Sequence, residues 1–128
     1  LFSTFPPSSL RKRGSRRIYQ GGLFYFQQKM LQGNVFKIKD GKLEQWKNWC
    51  GELASIHKVE AIETLREEKV IQEAFLLFKI KNDFYTMGIG EGECLPATER
   101  PLNQMHKKHM KEYLERVDEI ECLYHLKN

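Results

Sequence analysis

From Met30 to the C-terminus the chain reads as strand, long helix, two strands joined by a tight turn, second helix and strand. That order predicts an α+β fold, a ferredoxin-like βαββαβ sandwich with an antiparallel sheet and both helices on one face. Three observations carry the prediction. Apolar residues alternate with period two over 35–38, 70–80 and 84–89. They recur at helical spacing after Gly41 and after Pro101, and a Lys81-Asn82-Asp83 turn separates the two middle strands. A fold of this kind hosts many unrelated activities, so function has to be argued from its sites.

Val35, Phe36 and Ile38 alternate with Lys37 and Lys39 to make the first strand of the domain. Lys39-Asp40-Gly41 then turns the chain into the first helix, with Asp40 suited to accept the free amide protons of its first turn. Leu43, Trp46, Cys50 and Leu53 recur at helical spacing, whereas Ile56, Val59, Ile62 and Leu65 recur every three residues. A three-residue repeat rotates around an ideal helix of about 3.6 residues per turn, so one straight helix cannot bury both sets. A bend or break is expected near Ala54-Ser55, with Ser55 capping the second segment. Glu60, Glu63, Arg66 and Glu67 read as a solvated face.

Residues 70–80 form the second strand, with Ala74, Leu76, Phe78 and Ile80 on one side and Phe75 and Leu77 on the other. In a two-layer fold only one sheet face meets the helices, so apolar residues on the other need a second cover. The simplest cover is the same sheet of another subunit, which makes a symmetric homodimer the expected partner state. Asn82 and Asp83 are suited to positive φ in the turn, and 84–89 is the returning strand, with Tyr85, Met87 and Ile89 on one face. Gly88-Ile89-Gly90-Glu91-Gly92-Glu93 follows. Phosphate-binding glycine loops run straight into a helix, and Glu91, Glu93 and Pro96 interrupt this one, so it reads as a kinked or bulged strand end. Pro101 suits the first turn of the second helix, which is expected to run to about Glu119. Leu102, His106, His109, Tyr113, Val117 and Ile120 share one face of it, flanked by Met105 and Met110, and residues 122–126 close the sheet as the last strand.

Charge and cysteine use bound the remaining choices. Residues 1–29 hold Arg11, Lys12, Arg13, Arg16, Arg17 and Lys29 and no acid, which is +6; the other 99 residues carry 15 basic and 17 acidic side chains, which is −2, so the net charge of +4 comes from the extension. A nucleic-acid-binding domain carries its basic stripe on a folded face, which makes nucleic acid an unexpected partner for residues 30–128. The extension, 1–29, reads as a basic stretch outside the domain, flexible in its first part and apolar enough at Leu23-Phe24-Tyr25-Phe26 to form a strand or dock. Its simplest reading is an upstream stretch, with Met30 close to the start of the domain; contact with a phosphate-bearing or membrane partner, or a targeting role, is the functional alternative. The longest apolar run, 74–78, is far short of the roughly 20 residues of a membrane helix. Cys50, Cys94 and Cys122 form an odd, sparse set without C-x-x-C spacing, so unpaired thiols and a cytoplasmic location are expected.

His106, His109 and Tyr113 on the sheet-facing side of the second helix are the candidate site residues. They read either as packing or as the wall of a cavity between helix and sheet, where an imidazole works as acid or base near neutral pH. A metal would need a third ligand from Glu91, Glu93 or Cys94, which have no recognised spacing, so neither a metal nor another cofactor is expected.

The strand ending at Asp40-Gly41, the long first helix, the strand 73–80 with its hairpin and Pro101-Leu102-x-x-x-His106 together resemble a family of small uncharacterised bacterial proteins of the dimeric α/β-barrel type, over about residues 30–126. The resemblance implies a homodimer with sheets packed face to face and one cavity per subunit between sheet and helices. The wider relatives it implies include cofactorless monooxygenases, haem-degrading enzymes and sugar mutarotases. The basic extension departs from that pattern, and the paired tryptophans of the mutarotase-like relatives are missing near the end of the second helix. Two functions follow as expectations. One is a small-molecule pocket, catalytic or sensory, built from Tyr85, Met87, His106, His109 and Tyr113. The other is a non-catalytic dimeric binding or structural module whose basic tail contacts nucleic acid or another anionic partner.

Overall fold

The computed structural model describes Leu1 and residues 30–128; the expectations for the basic extension and its Leu23-Phe26 strand lie outside the described residues. Among the described residues the order is β1 (Met30–Ile38), α1 (Leu43–Leu53), α2 (Lys58–Glu67), β2 (Val70–Ile80), β3 (Asp83–Gly92), α3 (Pro101–Tyr113) and β4 (Leu114–Ile120). The strands form one open, fully antiparallel sheet in the order β2-β3-β1-β4. Phe36, Ile38 and Phe75 point to the same face, where they meet Trp46, Trp49, Leu102, Met110 and Leu114 in the core. No helix among the described residues is long and apolar enough to cross a membrane.

The expected break in the first helical region is present, and its chemistry differs from the expectation. Residues 54–57 form turns closed by the amides of Ser55 and His57 on the carbonyl of Glu52. Ser55 does not cap α2, because its Oγ donates back to the Gly51 carbonyl at 2.6 Å. Asp40 does not cap α1 either; Gly41 at φ 76° makes the turn, and Lys42 precedes the helix with no side-chain cap. After the break α2 presents Ala61, Thr64 and Leu65 inward and leaves Ile56 and Val59 about three-quarters exposed, so the second apolar stripe is not a core stripe.

The second helix is shorter than the sequence suggests. It ends at Tyr113 and passes directly into β4, so Val117 and Ile120 belong to a strand and 122–126 does not pair in the sheet. The helix end is tied to the end of β1: the Lys39 amide donates to the Tyr113 carbonyl at 2.9 Å, and Lys39 Nζ donates to the Lys111 carbonyl at 2.9 Å. Those bonds satisfy carbonyls that a helix leaves open at its C-terminus. They also deliver Leu114 beside Ile38, where pairing with the free edge of β1 wins over continued helix. In the hairpin, Lys81 and not Asn82 or Asp83 takes the positive φ, at 56°, because Asp83 already pairs with Ile80.

β3 runs on through the glycine-rich segment to Gly92. Gly88 lies under the Phe75 ring, where a Cβ would sit 2.8 Å from its Cε1 and Cζ. On the inward face of β3, Thr86 and Gly88 are small and admit the aromatic rings above them, while Phe84 packs against the core. Tyr85, Met87 and Ile89 lie on the opposite, open face with Ala74, Leu76, Phe78 and Ile80. Leu76 and Ile80 on that face are half exposed.

Candidate functional site

The interior between the helices and the sheet contains a polar cluster enclosed by aromatic rings. α1 contributes Trp46 and Trp49, α3 contributes Asn103 and His106, the end of α2 contributes Glu68, and β2 contributes Glu73 and Phe75. Trp46 and Trp49 are three apart and so share one side of α1. Asn103 and His106 do the same on α3.

His106 is fully buried, with the Trp49 ring centroid 6.1 Å away and nearly parallel and the Phe75 ring edge-on at 5.9 Å. The Trp49 indole Nε1–H donates to His106 Nδ1 at 2.9 Å. An imidazole that accepts at Nδ1 carries its proton on Nε2. That Nε2 is buried and has no hydrogen-bond partner. Burial, then the positive charge of the Leu1 amino group, then His109, push His106 down to about 3. At neutral pH it is an uncharged donor.

Asn103 lies one turn before His106. Its Nδ2 donates to Glu68 Oε2 at 3.2 Å and to the Thr98 carbonyl at 3.1 Å, while its Oδ1 is buried without a partner. Glu68 is completely buried, and its Oε1 accepts from the Leu1 amino group at 2.8 Å. Glu73 Oε1 lies 3.6 Å from the same nitrogen. Next to Glu68 on α2, Glu67 accepts from Arg100 Nε at 3.0 Å and from Thr98 Oγ1 at 3.1 Å, an ion pair that binds the end of α2 to the start of α3. The Arg100 hydrogen bond in first place holds the Glu67 carboxyl below the usual carboxylate range.

His106 and His109 both lie against Trp49, and Tyr113 meets His109. The His109 ring lies 4.3 Å from Trp49 and stacks on Tyr113 at 5.3 Å, and His109 Nδ1 is buried without a partner. Tyr85 and Met87 do not join them, because they occupy the open face of the sheet. Of the cluster, only His106 is among the sequence candidates; Trp46, Trp49, Glu68, Glu73, Phe75 and Asn103 are not.

Burial pushes the Cys50 thiol up to about 12, which removes its thiolate at neutral pH. Cys50 and Cys122 carry free thiols. Among the described residues no group of three or more His, Cys, Asp and Glu is arranged to hold a metal ion. Glu91 is engaged by Gln72 Nε2 at 2.8 Å and by Lys127, whose hydrogen bond is the main cause of its lowered carboxyl pKa. Glu93 pairs with Lys69, and Cys94 is buried. An open surface groove of about 760 Å³ runs where 125–128 cross Gln72 and Glu91, and it contains none of the expected site residues.

No curated protein matches the chain, and no solved structure does. One family model matches residues 32–128, from the third residue of β1 to the C-terminal residue, and so spans every element that builds the cluster. The chain belongs to the family of unknown function DUF6176.

Proposed function

We propose that this protein binds a small molecule in the interior between helices and sheet, at His106, Asn103 and Glu68. The observation that carries the reading is a pair of fully buried polar atoms without partners, His106 Nε2 and Asn103 Oδ1, beside a fully buried carboxylate. Leaving such a group unpaired costs about 1–3 kcal/mol, and native proteins rarely accept two in one cluster unless something else satisfies them. One of the two is a donor and the other an acceptor, which suits a polar ligand. His106 acts there as a neutral hydrogen-bond donor. General acid–base catalysis works best with a pKa near the working pH, and burial has moved this imidazole far below it.

The domain is inferred to be residues 30–128, in support of which stand the family match from residue 32 and the placement of all described strands and helices. The element order with the strand order β2-β3-β1-β4 supports the ferredoxin-like arrangement. A homodimer of the dimeric α/β-barrel type through the open sheet face is supported by half-exposed Leu76 and Ile80 beside Phe78, Tyr85 and Met87. The free thiols of Cys50 and Cys122 favour a reducing, cytoplasmic setting. A non-catalytic dimeric module is the second reading, favoured by the close packing of His106 between Trp49 and Phe75.

The Trp49 indole N–H, hydrogen-bonded to His106, is a resonance that reports on the interior. On the binding reading, a screen of small polar compounds moves that resonance in the wild type and not in His106→Asn. The module reading is preferred if no compound moves it and if His106→Ala, His109→Ala and Tyr113→Phe all lower the melting temperature. For the dimer, sedimentation of the wild type as a dimer and of Leu76→Glu as a monomer is the expected result, and a wild-type monomer at micromolar concentration overturns it.

A further inference from the structure

We propose that the interior beside α3 takes a small neutral molecule with an amide edge, a ring carbonyl next to a ring N–H as in a lactam. This rests on the reading of that interior as a small-molecule site and names the class of molecule it takes.

The polarity of both open groups is fixed by their neighbours. The Trp49 indole N–H only donates, so His106 Nδ1 carries no proton and the ring presents its hydrogen on Nε2. On Asn103, the atom 3.1 Å from the Thr98 carbonyl faces a group that only accepts, so it is the NH2 nitrogen. Its 3.2 Å contact with Glu68 Oε2 agrees. Rotating the amide would set its oxygen against the Thr98 carbonyl, so Oδ1 is the acceptor left open. Among the described residues neither His106 Nε2 nor Asn103 Oδ1 has a partner, and both residues are at most 2% exposed.

The two residues stand three apart on α3, which puts their Cβ atoms about 5–6 Å apart on one side of the helix. A ligand that serves both accepts at His106 and donates to Asn103 within that span. An amide edge does this with adjacent groups, its oxygen on Nε2–H and its N–H on Oδ1. A carboxylate only accepts and turns an anionic oxygen toward Oδ1. An ammonium only donates and meets Nε2–H with like polarity. A ketone or a tertiary amide serves His106 and leaves Asn103 Oδ1 stranded, now without access to water. The surroundings favour a flat body. The Trp49 ring is nearly parallel to His106, the Trp46 ring lies 6.3 Å from it at 36°, and Phe75 is edge-on at 5.9 Å. Such rings border a planar ring more closely than a branched chain.

The test uses the full chain and three probes of one ring size: pyrrolidin-2-one, 1-methylpyrrolidin-2-one and cyclopentanol. Affinity is read by titrating each against the Trp49 indole N–H resonance, together with the His106 Nε2 and Asn103 side-chain amide signals. Pyrrolidin-2-one is expected to bind at least about tenfold tighter than either other probe and to move all three signals. Asn103→Leu should bring the two lactams to near parity, because the acceptor that reads the N–H is gone. The Asn103 amide signal in the wild type covers the case in which that variant does not fold. The proposal is overturned if the methylated lactam or the alcohol binds as well as pyrrolidin-2-one. It is also overturned if the preference survives in Asn103→Leu, or if pyrrolidin-2-one binds without moving the His106 and Asn103 signals. If other polar compounds move Trp49 and pyrrolidin-2-one does not, the class is wrong and the site stands. If no compound moves it, the underlying binding reading falls as well.

Discussion

Acid should destabilise this protein through His106 before it does so through the carboxylates. The unfolded chain takes a proton on His106 as pH falls through about 6.5, whereas the folded chain holds the ring neutral down to about 3. Between those values the unfolded state binds more protons, so stability is fully present above 6.5 and is lost as pH falls. At pH 5 the single-site expression gives a loss of about 2 kcal/mol, and the span from 6.5 to about 3 bounds the total near 5 kcal/mol. That is a large share of the roughly 5–15 kcal/mol a domain has. The assay is urea unfolding at pH 7, 6, 5 and 4 for the wild type and for His106→Asn, whose side-chain oxygen can still accept from Trp49. Every carboxylate is present in both proteins, so the difference in slope isolates His106. The wild type should lose about 2 kcal/mol more than the variant between pH 7 and 5. Parallel curves would refute the reasoning, as would a measured His106 pKa near 6.5 in the folded protein.

Gly88→Ala places a methyl group 2.8 Å from the Phe75 ring, which is itself held by Trp46 and His106, so the variant should lose about 1–3 kcal/mol in a denaturant melt. Brief treatment with iodoacetamide should modify exposed Cys122 first and leave Cys50 and Cys94 unmodified until denaturant is added, as read by peptide mass spectrometry. Modification of Cys50 at the rate of Cys122 would contradict the burial that pushes its thiol up to about 12.

Much of the fold is legible in the sequence because it rests on short-range periodicity. The alternation over β2 marks the strand with its observed bounds, and the change of apolar spacing at Ala54 marks the break between α1 and α2. The end of α3 is not legible. Val117 and Ile120 continue the helical stripe of Tyr113, and only the Lys39 bonds and the open edge of β1 decide for a strand. The orientation of β3 is hidden for a related reason. Tyr85, Met87 and Ile89 look like the core face beside Thr86 and Gly88, and the order reverses because Phe75, Trp46 and His106 fill the space over the small residues. At the site, the sheet-facing side of α3 identifies His106, and Asn103, three residues earlier, was available by the same spacing. Glu68 was not: an acid at a helix end beside Arg66 and Glu67 looks solvated, and its burial comes from distant segments, with the Leu95 amide donating to its carbonyl, the Glu93 amide to that of Lys69, and Asn103 to its carboxylate.

The central claim is that the interior holds a neutral imidazole whose Nε2–H is offered to a ligand. Nitrogen NMR of histidine-labelled protein at pH 7 measures this directly. The account predicts that His106 is protonated at Nε2 and not at Nδ1, and that its Nε2 signal moves when a small polar compound shifts the Trp49 indole resonance. A His106 protonated at Nδ1, charged at pH 7, or unmoved at Nε2 by every compound that shifts Trp49 would contradict it.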